Sequence, residues 1–249
     1  MDIEKKAYSN IELVVSQLET RNGEWIIPEY TASPQQFAKI DLSTEKSIAP
    51  LAEFIYCNFH ACIVEIPITT SRFDIFRYFR SSEDLSGEAH WGTTPIPILS
   101  FDRSPGFIHV FSKKECSTSI SFDKRIYISE NSVRRRVESF LLCNQLFNSK
   151  NLSFQGKISW NTSVKRSDDI VFYFQNEEHY TIAKKLVVNA DTKIGSNDKN
   201  SIFTESIRGG ISCAVDDLRQ ERDDLSFGQK KSRELAEKVI HFLQDFRGN

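Results

Sequence analysis

The stretch that most constrains this chain runs from Ser153 to Gln175. Two strand-like runs, 153–160 and 169–175, flank a polar turn rich in Asn, Thr and Ser. The second run contains Ile170-Val171-Phe172-Tyr173-Phe174, β-branched and aromatic throughout, which suits a buried strand. Charge gathers at its entrance as Lys165, Arg166, Asp168 and Asp169, and Lys157 sits within the first run. A hairpin here brings Lys157 and Arg166 to one end of a sheet, beside the Asp168 carboxylate. Two cations and a carboxylate on rigid strands make an anion site. The same residues on a solvated turn make ordinary surface ion pairs, which contribute little. Both readings stay open on the residues alone.

The flanking pattern places this hairpin in a larger unit. Strands are expected at 107–111 and 124–128, and a helix at 132–148 with Val133, Val137, Phe140, Leu141 and Phe147 inward. A second helix, 177–187, offers Tyr180, Ile182, Ala183, Leu186 and Val187. From residue 124 the order is strand, helix, strand, strand, helix. That is most of a split βαβ unit with a right-handed crossover at 132–148. Arg134, Arg135 and Arg136 open the crossover helix against its dipole. Either they meet an acidic partner or they splay into water.

Upstream, apolar stripes predict helices at 1–20 (Ile11, Val14, Val15, Leu18), 48–59 (Ile48, Leu51, Ala52, Ile55, Phe59) and 71–80 (Phe73, Phe76, Phe79). Residues 81–105 read as loop, with His90 beside Trp91 as its most notable pair. The Trp either closes the core beside an incidental His or joins it in a site. Downstream come a polar loop at 189–201, a strand at 211–215 after Gly209-Gly210, and an exposed acidic loop at 216–225. A last helix reaches about 246, with Leu235, Val239, Phe242, Leu243 and Phe246 as its buried stripe. The expected fold class is α+β: a mixed sheet with a split βαβ-like unit over about 106–190, N-terminal helices and a C-terminal helix. No repeat or border interrupts it, so a single domain over 1–249 is expected, mainly helical in 1–80 and α+β in 106–246.

Several function classes fall away. Net charge is −2, so no overall field favours nucleic acid or an acidic membrane. No run approaches the ~18 apolar residues of a membrane span. The start, Met1-Asp2-Ile3-Glu4-Lys5-Lys6, has no apolar signal region. The five cysteines, Cys57, Cys62, Cys116, Cys143 and Cys213, form no Cys-x-x-Cys pair and read as reduced thiols of a cytoplasmic protein. A zinc site is not expected. There is no Gly-x-Ser-x-Gly elbow, no Walker-type phosphate loop and no Gly-x-Gly-x-x-Gly. What remains is a set of cations: Lys114, Arg125, Lys157, Arg166, and Lys230-Lys231 after Ser226-Phe227-Gly228. Such a set suits a phosphate or carboxylate group better than a cofactor ring.

Several stretches, taken in order, resemble the HopA family, named after a type III secretion effector of plant-pathogenic pseudomonads. Leu51-Ala52-Glu53-Phe54-Ile55-Tyr56 with Phe59 resembles its early Leu/Tyr-rich helix. Gly87-Glu88-Ala89-His90-Trp91 resembles its Gly-x-x-x-Trp loop, and Arg125-Ile126-Tyr127 its Arg-Phe-Tyr strand. Lys157 lies where the family has its lysine-valine strand, and Arg166 to Tyr173 fits its Arg-x-Asp-x-x-Val-x-Tyr motif. Thr204, Gly210 and Ser226-Phe227-Gly228 with Ala236-Glu237 follow the family's later pattern. The resemblance covers roughly residues 50–245.

That resemblance implies a reaction and partners. Family members in thioamitide and class V lanthipeptide pathways eliminate phosphate from phosphoserine or phosphothreonine, leaving dehydroalanine or dehydrobutyrine. A partner kinase supplies the phosphorylated precursor peptide, and no metal or organic cofactor is required. The implied activity is a carbon–oxygen lyase of the cytoplasm. The alternative is a non-catalytic phosphopeptide-binding protein or a type III secreted effector, delivered into a host cell. Elimination needs a base for the weakly acidic Cα–H, and Lys114 or Lys157 is the candidate. Arg125 and Arg166 would clamp the phosphate, with Asp168 orienting Arg166. His90, His109 or Tyr127 would protonate the leaving oxygen. The chain departs from many relatives at Lys230-Lys231, where they carry His-Arg. If that pair touches phosphate, charge is kept but the forked geometry is lost.

Overall fold

The computed structural model describes residues 3–21, 24–28, 39–41, 45–65, 107–112, 122–159, 161, 164–190, 194–195, 199–216 and 225–247. In chain order they form α1 (Ile3–Val15), β1 (Glu19–Arg21), β2 (Glu24–Ile26), α2 (Ile48–Ile55) and β3 (Val64–Glu65). Then come β4 (Phe107–Phe111), β5 (Lys124–Ile128), α3 (Val133–Ser149), β6 (Gln155–Ser159), β7 (Val164–Lys165) and β8 (Ile170–Phe174). The series ends with α4 (Glu177–Asn189), β9 (Glu205–Arg208), β10 (Ile211–Val215) and α5 (Phe227–Arg247). The expected helix at 71–80, the loop at 81–105 and the acidic residues 217–224 lie outside the described residues. No described helix is long and apolar enough to cross a membrane.

These elements separate into two compact units, Met1–Ile63 with Arg222–Asn249, and Val64–Glu221. In the first unit, α2 packs along α5 and buries Leu51, Phe54 and Ile55, while α5 buries Leu235, Ala236, Val239 and Leu243. The first helix ends at Val15, short of the expected 20. Tight Gln17-to-Val14 and Leu18-to-Val15 backbone bonds turn the chain, and Glu19–Arg21 then pairs with Glu24–Ile26. The helical stripe also slips after Ile55. Residues Tyr56–His60 form a π-helical turn, closed by the Ala61 amide on the Tyr56 carbonyl at 2.7 Å. The wider turn carries His60 inward, to 3% exposure, and leaves Phe59 half-buried instead.

His60 explains the glycine of Ser226-Phe227-Gly228. A Cβ on Gly228 would overlap the His60 ring, which also meets the Phe227 ring edge-on at 6.1 Å. Gly228→Ala is therefore expected to lower stability by about 1–3 kcal/mol, as overpacking of a filled interior does. A denaturant midpoint equal to that of the wild type would show that His60 swings away without cost.

The second unit holds a six-stranded sheet of order β4-β6-β8-β5-β10-β9 and a two-stranded ladder of β3 with β7. Every adjacent pair is antiparallel. β5 and β6 run the same way but are separated by β8. The α+β class and the split βαβ unit thus hold, with the parallel relation falling between next-nearest strands.

Side chains alternate across such a sheet. One face presents Ile126, Ile128, Ile158, Ile170, Phe172, Phe174, Ile211 and Cys213 to Val137, Phe140, Cys143 and Phe147 of α3 and to Tyr180, Ala183 and Val187 of α4. Phe140 stacks on Phe172 at 5.3 Å, and Phe147 meets Phe154, Phe172 and Phe174 edge-on. Gly156 lies under that stack: a Cβ there would stand 2.9 Å from Phe172 and 3.1 Å from Phe140. Each buried phenyl contributes about 1.5–3 kcal/mol. The helices over this face start on true caps. The Ser132 hydroxyl accepts from the Arg135 amide, and the Asn176 side chain accepts from the Glu178 and His179 amides.

Candidate functional site

The opposite face of the same sheet gathers the charged residues. Register places Lys157 of β6 opposite His109 of β4 and Val171 of β8, with Tyr127 of β5 next across. The neighbouring row runs Gln155, Tyr173, Arg125 and Ala214. Lys157, Tyr127, Tyr173 and Arg125 therefore share one face by strand periodicity. Arg166 joins them from the turn before β8.

Aromatic rings tie these cations together. Lys157 Nζ lies 4.4 Å from the Phe107 ring centre and 5.8 Å from that of Tyr173. The Arg125 guanidinium stands 5.6 Å from Tyr173, and that of Arg166 stands 5.5 Å from Phe107. Cation–π contact holds a positive charge without neutralising it.

Carboxylates fix the two arginines. Arg166 Nε and Nη2 donate to the two oxygens of Asp168 at 2.7 and 3.1 Å, a bidentate pair with the carboxylate expected beside it. Asp168 is 3% exposed, so this is no solvated turn. Arg125 donates through Nη1 and Nη2 to Asp216 Oδ2 at 3.2 and 3.1 Å. Asp216 had been expected on an exposed loop. It is 9% exposed, because its amide bonds the Asp123 carbonyl at 2.7 Å and extends the pairing of β10 with β5 by one residue. Three cations thus meet two carboxylates, and among the described residues no carboxylate lies within ion-pair distance of Lys157.

The remaining expected site residues separate. Tyr127 is 4% exposed, in the row of Lys157. His109 occupies the register position opposite Lys157. Lys114 and His90 lie outside the described residues. Lys230 and Lys231 stand on α5, in the first unit, and Lys231 pairs with Glu234 at 2.8 Å.

The three arginines that open α3 all find acids. Arg134 pairs with Glu138 at 2.8 Å, and Arg135 lies between Glu138 and the buried Glu130. Arg136 is wholly buried, with Nη2 2.8 Å from Asp169 Oδ1. Beside this ion pair, its guanidinium donates to the carbonyls of Ser159, Asn161 and Val164 at 3.2, 2.8 and 3.0 Å. Position 136 lies three after Val133 and four before Phe140, on the buried stripe, and that spacing was the signal that could have found it. Glu130 accepts from the Ser139 hydroxyl and from the Gly195 amide, the latter at 2.8 Å. Burial, reinforced by Glu130, pushes the Cys143 thiol far up, which makes it an inert interior group.

Asp169 carries a pH signature. Burial raises its carboxyl from 3.8 to about 7, against the opposing pull of Arg136 and of Arg166. The folded protein then holds a proton that the unfolded chain has released between those values, so the Asp169 contribution falls as pH rises from about 4 to about 7. Denaturation midpoints of wild type and Asp169→Asn across that window should diverge, the wild type losing relative stability toward neutral pH. A constant or opposite difference would contradict this.

A family model described as the HopA1 effector protein family matches residues 104–245. No curated protein matches the chain. Among solved structures, that of the effector protein from Pseudomonas syringae pv. syringae strain 61 is similar at 12% identity and a TM-score of 0.42, covering 93% of this chain and 86% of that one.

Proposed function

This chain belongs to the HopA1 effector protein family, and from that premise we propose that it is a phosphopeptide lyase. It would eliminate phosphate from phosphoserine or phosphothreonine in a ribosomal peptide, after a kinase has installed the ester. The observation that carries the reading is the convergence of Lys157, Arg125 and Arg166 on the rings of Phe107 and Tyr173. Arg125 and Arg166, each held by a carboxylate, are pre-oriented donors for a phosphate dianion. Lys157, in its neutral amine form, takes the Cα proton and becomes an ammonium. The electron pair of that C–H bond becomes the Cα=Cβ double bond, and the Cβ–O bond breaks with its pair leaving on phosphate. Tyr127 is the described candidate for a proton to the leaving oxygen. The step uses side chains alone.

Intact mass of a phosphoserine peptide incubated with the protein tests this. Loss of phosphoric acid, with the new alkene trapped by a thiol, supports the lyase. Binding of a peptide that stays intact would instead make this face a recognition surface. Neither binding nor turnover would overturn both.

A further inference from the structure

We propose that Arg136 is a positioning residue for the phosphate clamp: from the first turn of α3 it shapes the connection between β6 and β8 and thereby aims Arg166. The proposal rests on reading the charged sheet face as a phosphate site. Arg136 is 0% exposed and so cannot itself touch a ligand on the other face. Its guanidinium instead gathers three carbonyls of one connection, those of Ser159, Asn161 and Val164. Two residues after the last of these comes Arg166. The Arg166 carbonyl is held separately, by the Ser129 hydroxyl at 2.8 Å. Backbone is thus fixed on both sides of the clamp residue before its own side chain meets Asp168.

The adjacent aspartates lie in the turn before β8 and divide the work. Asp168 faces Arg166, and Asp169, one residue on, faces Arg136. The Asp169 carbonyl also accepts from the Ser159 amide at 2.8 Å, joining the end of β6 to the residue before β8. A planar fork with several N–H donors can serve separate carbonyls, whereas an ammonium presents a point charge. Arg136→Lys therefore keeps the charge opposite Asp169 and loses the directed fan.

The test compares Arg136→Lys in the wild-type and Arg166→Ala backgrounds. It reads affinity and kcat/KM for one phosphoserine peptide, and hydrogen exchange of the 161–168 amides. With Arg166 present, Arg136→Lys should lower kcat/KM by about 10- to 100-fold, as a misplaced binding group does. In the Arg166→Ala background it should change kcat/KM by less than about twofold, because the two act through one route. Exchange should rise in 161–168 while α4 is unchanged. Equal losses in both backgrounds, or full activity of Arg136→Lys, would overturn the proposal. If Arg136→Lys does not fold, the double variant Arg136→Met with Asp169→Asn replaces it, with the same readouts and the same expected results. If the wild type neither binds nor converts the peptide, the reading of the sheet face has failed. The clamp role then falls with it, and exchange reads only whether Arg136 orders the backbone before Arg166: a rise confined to 161–168 upholds that hold, and any other pattern overturns it.

Discussion

Arg136→Ala should cost about 3–5 kcal/mol of folding stability, because it strands a buried carboxylate. Asp169 and Arg136 are both 0% exposed. Truncation would leave Asp169 without its countercharge, and would leave the carbonyls of Ser159, Asn161 and Val164 without the donors that serve them. Removing both charges together is different. Arg136→Met with Asp169→Asn should recover much of the loss, since apolar or neutral replacements for a buried ion pair are often tolerated. Denaturant titrations of the two variants check this. An Arg136→Ala loss below about 1 kcal/mol would be incompatible with a buried pair.

Lys157 gives the largest expected effect on activity. Lys157→Ala should lower the turnover of a phosphoserine peptide by about 10²–10⁴-fold, the usual contribution of a general base. The fold should survive, since Lys157 is half-buried and its partners among the described residues are the rings of Phe107 and Tyr173. Lys157→Arg sharpens the test. It keeps the positive charge for phosphate but supplies a guanidinium that does not give up its proton. Binding that persists in Lys157→Arg while dehydration stops would assign Lys157 to the proton transfer. If Lys157→Arg turned over normally, its role would be electrostatic and the base would lie elsewhere.

Much of the fold was legible because burial writes a period into sequence. Ile170–Phe174 read as a buried strand and is one, at the centre of the sheet. The crossover helix and α4 followed from their apolar stripes. β9 escaped notice because Glu-Ser-Ile-Arg is a polar edge strand, made by the hairpin through Gly209, whose φ is +46°. The inward His60 escaped because a π-turn shifts the helical phase by a residue that no spacing rule foresees.

The site divides the same way. The Arg166–Asp168 pair is local, two residues apart, so sequence could propose it and geometry bears it out. The Arg125–Asp216 pair spans 91 residues, and the partnership of Arg136 with Asp169 joins a helix to the turn before β8. No periodicity marks which acid meets which base across such distances. The ring contacts that collect Lys157, Arg125 and Arg166 are likewise set by cross-strand register.

The sequence by itself determined the class of fold, the main run of strand, helix, strand, strand, helix from β5 to α4, and the residue types from which an anion site could be made. Local pattern suffices there, because periodicity and turn chemistry act within a few residues. Tertiary structure alone decided which cations share a face, which carboxylates hold them, and that one of three adjacent arginines lies in the interior. Those outcomes depend on register and burial, which emerge only when distant segments compete for the same partners.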